Sequence, residues 1–260
     1  MQKYGICPIG AAAMRSQASH RSEMISQLIF GETFSLLAKS AGWLHIESSH
    51  DQYQGWVAAN QVELISHDTY TWLRNDSVFY TTGRFSKVTN LHSSHSFMIS
   101  GGSPFPGNGH KVCKFESFAF EHHGNLMKPS GNQAGDILHL AGDLMHTPYL
   151  WGGRSAFGVD CSGLVQLCFR MAGIRLPRDS SVQSNLGESI HLIHEAKAGD
   201  LAFFDNDEGV INHVGIITGD GHIIHAHGRV RKDKVDHQGI FNQGSGRYTH
   251  KLRLIKRICS

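Results

Sequence analysis

Charge is scarce in this chain: Asp, Glu, Lys and Arg make up 18% of the 260 residues, and the formal net charge is +2. A balance so near neutral leaves no footprint for a polyanion, and no basic run forms a phosphate-binding stripe. The Lys232–Lys234 and Lys251–Arg257 stretches read as solvated charge. Long apolar runs are missing too. No uninterrupted segment approaches the roughly 20 residues of a membrane helix, and Met1–Pro8 holds no apolar stretch of signal-peptide length. The five cysteines (Cys7, Cys113, Cys161, Cys168 and Cys259) are an odd number, widely spread and without a CxxC pair. That speaks against zinc and dithiol exchange and fits a reducing compartment. The expected location is cytoplasmic, or periplasmic if a leader has been removed.

What is present is apolar residues enough, 40% of the chain, to bury a sizeable core in two or three domains. Up to about residue 66 the sequence shows strand-sized runs. In Gly42-Trp43-Leu44-His45-Ile46-Glu47-Ser48, Leu44 and Ile46 share one face and His45 and Glu47 the other, the period of a half-buried strand. The succession Gly31-Glu32-Thr33-Phe34-Ser35-Leu36-Leu37, Gly42-Trp43-Leu44 and Gly55-Trp56-Val57 resembles the small bacterial SH3-like barrel. Residues 67–130 are rich in Ser, His and Gly with weak apolar periodicity. Strand-like runs at Ser77-Val78-Phe79-Tyr80 and Phe115-Glu116-Ser117-Phe118-Ala119-Phe120 suggest a second small β barrel, with Ser100–Gly107 as a turn-rich loop.

The texture changes from about residue 131. Ala134–Met145 carries apolar residues at helical spacing, and Pro148 ends it. A second helix runs from Cys161 to about Ala172, with Leu164, Val165, Cys168 and Met171 on one face and Gly173 at its end. Strands follow at Asp200–Phe204, His213–Thr218 and His222–Ala226, the last two joined by Gly219-Asp220-Gly221. Helices first and antiparallel strands afterwards imply an α+β domain over 131–260.

Cys161 stands where the glycine-rich Tyr149-Leu150-Trp151-Gly152-Gly153 region gives way to a helix. A helix N-terminus and a nearby imidazolium lower a thiol from about 8.5 to roughly 3.5–7.5, so Cys161 reads as a nucleophile. Cys168, about two turns on, reads as a small core residue. A cysteine nucleophile needs a base, and the base needs a polar group to set its tautomer. His213 and His225 lie twelve residues apart across one tight hairpin, and side chains on one face of neighbouring strands about 4.8 Å apart can touch. With 19 histidines in the chain, most must be ordinary core or surface residues. His225 and His227 alternate onto one face and could instead ligate a metal, although no HExxH pattern or cysteine cluster supports that.

Together, Asp160-Cys161-Ser162-Gly163, Gly199-Asp200-Leu201, His213-Val214-Gly215-Ile216 and Ile224-His225-Ala226 closely resemble the NlpC-type cell-wall cysteine peptidases over about residues 134–260. The resemblance implies a papain-like domain at 131–260, behind one or two small SH3-like barrels: the one read at 1–66 and the second suggested by the strand-like runs over 67–130. It further implies hydrolysis of the γ-D-glutamyl bond to a diamino acid in peptidoglycan peptides, with no cofactor or metal. With SH3-like modules in front, the chain looks most like members that act on free muropeptides with an unblocked N-terminal L-Ala. Carried over, Cys161 is nucleophile, His213 base and His225 the orienting third member. The Cys161 N–H is a natural oxyanion donor, with Tyr149 near that hole. Asp160 reads either as a helix cap or, by the resemblance, as the receptor for the substrate's ammonium. Ser162 and Ser180 match positions that hydrogen-bond the D-glutamyl portion, and Glu23 and Tyr53 match places in the first barrel that help close the amine pocket. A carboxylate-lined pocket is favourable only when the ammonium is present, so N-blocked substrates should be rejected. His227 departs from the family's small polar residue at the pocket rim.

Two other functions fit parts of this pattern. One is an endopeptidase on the intact wall with the barrels as anchors. The other is a wall-binding protein with a degenerate domain, which the retention of Cys161, His213 and His225 argues against.

Overall fold

The alternation of Leu44 and Ile46 with His45 and Glu47 becomes the strand Trp43–Ser48 in the computed structural model, which describes residues 3–75 and 78–259. Leu44 and Ile46 are buried, and their neighbours are half-buried. The strand is central in an antiparallel sheet ordered Met24–Ile29, Ala11–Arg15, Gln54–Ala58, Trp43–Ser48, Thr33–Ser40, Tyr4–Ile6 and Glu63–Ile65. Its inward residues, among them Ala12, Met14, Leu28, Phe34, Leu44, Ile46 and Val57, form one core.

After this sheet comes a helix, His67–Asn75, where the sequence suggested only strands. Ser77, which the sequence placed in a strand, lies outside the described residues, and the strand there is Phe79–Thr81. The continuous strand expected over Phe115–Phe120 is instead a hairpin, Val112–Phe115 and Phe118–His122. Its turn residue Glu116 takes a φ of 47°. The Glu116 carboxylate accepts from the Ser66 N–H at 3.0 Å and the Thr69 hydroxyl at 2.5 Å, which ties the turn to the start of the His67–Asn75 helix. The fold back also stacks Phe115 on Phe118 at 4.7 Å. Ile6, Phe30 and Ile65 pack with Val88, Ile99, Phe105, Phe118 and Phe120 in a second core, so the first stretch of chain supplies apolar residues to both.

Two units emerge from this chain. The first contains everything up to Pro129 together with Trp151–Phe157, and the second contains Ser130–Leu150 and Gly158 onward. Within the first, Arg154 is fully buried and pairs with Glu32.

The second unit is α+β. Asn132 caps the helix Gln133–Asp143 by accepting from the Gly135 N–H, and Asp160 caps Cys161–Met171 in the same way through Gly163. All eleven residues of the Cys161–Met171 helix are buried. It ends where Gly173 turns left-handed (φ 77°) and the Ile174 N–H returns to the Phe169 carbonyl. A short helix, Ser180–Gln183, follows. The sheet runs in the order Glu188–Ile190, Arg247–Arg257, Leu201–Asp205, Ile211–Ile217, His222–His227, Arg229–Val235 and Gly239–Asn242. Gly239–Asn242 pairs back onto Arg247–Arg257, which closes six of these strands on themselves. At that seam Gly239 has a φ of 141°, and a Cβ there would lie 1.8 Å from the His250 carbonyl oxygen. Among the described residues no helix is long and apolar enough to cross a membrane.

Candidate active site

Cys161 is the first residue of its helix and 7% exposed. Its sulfur lies 4.0 Å from the Asn212 carbonyl and is also reached by the Val214 backbone, so the thiol rests against the two residues flanking His213. Burial pushes the thiol up to about 11, and the neighbouring Asp160 carboxylate pushes the same way. Backbone donors at Val214 and Ser162 and the Arg178 charge oppose this without overcoming it. The activated thiolate expected from the helix terminus is therefore not the resting state. In this buried setting loss of hydration outweighs the terminal dipole.

The hairpin carrying the two histidines forms as its turn signals imply. Strands Ile211–Ile217 and His222–His227 pair with Gly215 opposite His225, and His213 reaches His225 on the diagonal. A Cβ on Gly215 would lie 2.7 Å from the Ile223 side chain and 2.9 Å from the His225 Cβ, so glycine leaves room for both residues of the facing strand. His213 Nε2 lies 2.9 Å from His225 Nδ1, with the rings nearly perpendicular. His225 Nε2 in turn lies 2.9 Å from Asp233 Oδ2, on the next strand. Burial drives the His213 pKa well below its ordinary value, and the charges of His250, His225 and His227 add to this. His225 is lowered chiefly by burial, with Asp233 pulling the other way. Both imidazoles are neutral at pH 7.

Two of these neighbours were not foreseen from sequence. His250, from the strand Arg247–Arg257, stacks on His213 at 4.1 Å and 23° and is itself lowered to about 4, first by burial and then by His225 and His227. It is 37 residues from His213 along the chain, and only the closing of the sheet brings it in. Asp233 sits in a stretch that reads as solvated charge; Lys232 and Lys234 are indeed exposed, but Asp233 between them is buried. Its signal is the hairpin at Gly228, which sets Arg231 opposite His225 and Asp233 one diagonal step away.

One nitrogen from each of His213, His225 and His250 lies within 4.8 Å of the others. The rings of His213 and His250 stack with their planes 23° apart, and His213 Nε2 is already engaged by His225 Nδ1 at 2.9 Å, which suits a packed imidazole wall better than convergent metal ligation.

Around the thiol, Tyr149 is 36% exposed, and its hydroxyl is pushed up to about 12 by burial and by the nearby Cys161 and Asp160. Asp160 is buried and caps the helix, and Arg178 grips it at both oxygens, at 3.0 and 2.5 Å. Arg178 also donates to the Ser162 hydroxyl at 2.8 Å. This pairing was not anticipated. Ser180 begins the short helix, which Gln183 ties to the Ser162 and Pro177 carbonyls. Glu23 and Tyr53 belong to the first unit. There Glu23 is exposed and accepts from the Trp151 indole at 2.6 Å, while Tyr53 is half-buried against the first core.

Residues 146–252 match the NlpC/P60 family and residues 14–62 match the bacterial dipeptidyl-peptidase Sh3 domain. The chain is similar to a gamma-D-glutamyl-L-lysine dipeptidyl-peptidase of Bacillus subtilis, 28% identical over 235 residues that cover 77% of this chain and 71% of that one. A protein of the same name from Bacillus cereus is 26% identical over 233 residues, covering 80% and 68%. Among solved structures, an NlpC/P60 family protein from Bacillus cereus aligns with a TM-score of 0.82 over 98% of this chain and 99% of that one, at 18% identity, and so shares the fold.

Proposed function

Because the chain carries an NlpC/P60 domain behind a bacterial dipeptidyl-peptidase SH3 domain, we propose that it is a cysteine peptidase of peptidoglycan-derived peptides. It hydrolyses the γ-D-glutamyl bond to a diamino acid where the peptide has a free N-terminal L-Ala, and releases L-Ala-D-Glu. The observation that carries this reading is the buried pair His213 and His225, joined at 2.9 Å, with the sulfur of Cys161, the first residue of its helix, 4.0 Å from the carbonyl of Asn212 next to His213. The names of the two Bacillus relatives support the bond, and their dipeptidyl-peptidase character supports counting from a free end.

The chemistry follows from the protonation states. With a neutral thiol and a neutral imidazole, attack and proton transfer are coupled: as the Cys161 sulfur bonds to the γ-carbonyl carbon, its proton passes to His213. His213 Nε2 is engaged by His225, so Nδ1 is the nitrogen that receives it. The oxyanion forms at the Cys161 backbone N–H, where the helix terminus supplies an unshared donor. The His213 imidazolium then protonates the departing amine of the diamino acid. Water, deprotonated by His213, hydrolyses the γ-glutamyl thioester and restores the thiol. Tyr149 stands beside Cys161 and Asp160 as a wall of the site. Asp160, shared with Arg178, takes the ammonium, and Ser162 and Ser180 serve the D-glutamyl portion.

The test compares free peptide with intact wall. L-Ala-γ-D-Glu-L-Lys is expected to give L-Ala-D-Glu and lysine, while purified sacculi release no soluble fragments. Solubilisation of sacculi at a comparable rate would replace this reading with that of a wall endopeptidase anchored by its barrels.

A further inference from the structure

Hydrogen bonds between imidazoles have a direction, and the far end of this relay sets it. Asp233 is 6% exposed and is gripped by Arg231, with Nη2 at 2.8 Å from Oδ1 and Nε at 2.5 Å from Oδ2. A carboxylate held by a guanidinium in this way is ionised and accepts only. Burial works against the charge, yet the hydrogen bonds from His225 and Arg231 hold Asp233 at about 2. The nitrogen facing it, His225 Nε2, must therefore carry the proton. A neutral His225 then presents a bare lone pair at Nδ1, which can only accept, so His213 Nε2 must be the donor across the 2.9 Å contact. That leaves the lone pair of His213 at Nδ1. The opposite tautomer of His225 would set two lone pairs face to face at Asp233.

From this geometry we propose that Asp233, fixed by Arg231, is a positioning residue that dictates the tautomers of His225 and His213 and so makes His213 Nδ1 the base. It acts through His225 and does not touch substrate. Three adjacent strands carry the relay diagonally, His213 on Ile211–Ile217, His225 on His222–His227 and Asp233 on Arg229–Val235. The other titratable or charged groups around His225 are His227 on its own strand, His250 on Arg247–Arg257 and Arg231 opposite it. None of them offers an anionic acceptor, so Asp233 alone of these can set the proton order. The consequence for the reaction rests on the peptidase reading above, whereas the proton order does not.

The experiment records nitrogen-15 spectra of ring-labelled histidines in the full chain at pH 7.5 alongside peptidase kinetics on L-Ala-γ-D-Glu-L-Lys. In the wild type, His225 and His213 are both expected as the Nε2–H tautomer. In Asp233→Asn the amide offers both a donor and an acceptor, so both histidines should become tautomer mixtures. The kcat should fall on the order of 10²-fold with KM little changed. This is less than the about 10⁴-fold seen when the residue touching the base directly is so altered, because Asp233 is one residue further out. Asp233→Glu, which keeps an anionic acceptor, should recover part of the rate. A wild-type His225 protonated at Nδ1 would overturn the proposal even if the variant does not fold. So would an Asp233→Asn protein with unchanged tautomers and rate. Correct tautomers in a wild type that cleaves no peptide would remove the peptidase reading and leave the proton order standing.

Discussion

Replacing Glu32 by Gln should unfold the first unit at markedly lower denaturant, although the two side chains have almost the same size. Arg154 is fully buried, and its guanidinium donates to Glu32 at 3.0 and 2.6 Å and to the Gln27 carbonyl at 2.8 Å. The Glu32 carboxylate also accepts from the Ile29 N–H at 2.9 Å. The amide keeps one acceptor oxygen but carries no charge, and its nitrogen would face a cation. Removing one partner of a buried pair costs about 3–5 kcal/mol, far above the 0–1 kcal/mol of an exposed pair. With a urea slope of about 2 kcal/mol per molar, the midpoint should drop by about 2 M. All four tryptophans, Trp43, Trp56, Trp72 and Trp151, lie in this unit, so indole fluorescence follows its unfolding alone. The double change Glu32→Met with Arg154→Met should recover most of the loss, since an apolar pair of similar volume leaves no uncompensated charge. A shift below about 0.5 M for the single variant would show that water reaches the pair and would refute the argument.

Other consequences follow from the buried groups. His122, His213 and His250 all have pKa values below the ordinary 6.5, with His122 and His250 near 4, chiefly through burial. Below pH 6.5 the unfolded chain takes up protons that the folded chain refuses. Stability should therefore fall as pH drops from 6.5 towards 4, by up to about 1.4 kcal/mol per pH unit for each histidine; a melting temperature flat over this range would contradict the assignment. Alkylation of Cys161 by iodoacetamide, followed by peptide mapping, should quicken about tenfold per pH unit between pH 7 and 10, as expected of a protonated thiol. A rate already at plateau by pH 6 would instead indicate a resting thiolate and imidazolium. Gly239→Ala would drive a methyl into the His250 carbonyl, and should lower the melting temperature by about 5 °C or more and depress activity through His250 and His213. An unchanged melting curve would mean the seam yields enough to admit a methyl at Gly239.

The local signals were legible because their partners are close in sequence. Asp160 and Gly173 bracket the Cys161 helix, and the glycines at 219 and 221 turn the hairpin that pairs Gly215 with His225. Features set by distant contacts were not. Glu116 turns the chain because Ser66 and Thr69 bind its carboxylate, and aromatic residues on both sides of that turn read as one strand. His250 joins the site only through closure of the sheet, and Arg178 meets Asp160 from a connection whose periodicity is silent. Burial, too, is a tertiary property. The helix terminus alone argues for an acidic thiol, whereas the packed surroundings push Cys161 up to about 11.

The central claim is that Cys161 cleaves the γ-D-glutamyl bond of peptides with a free amino terminus. Its most direct test incubates wild type and Cys161→Ala with L-Ala-γ-D-Glu-L-Lys and with the N-acetylated form, quantifying released dipeptide by mass spectrometry. L-Ala-D-Glu is expected from the free peptide with wild type only, and little or none from the acetylated one. Equal cleavage of both would contradict recognition of the amine, and no cleavage of either, or cleavage by Cys161→Ala, would contradict the enzyme.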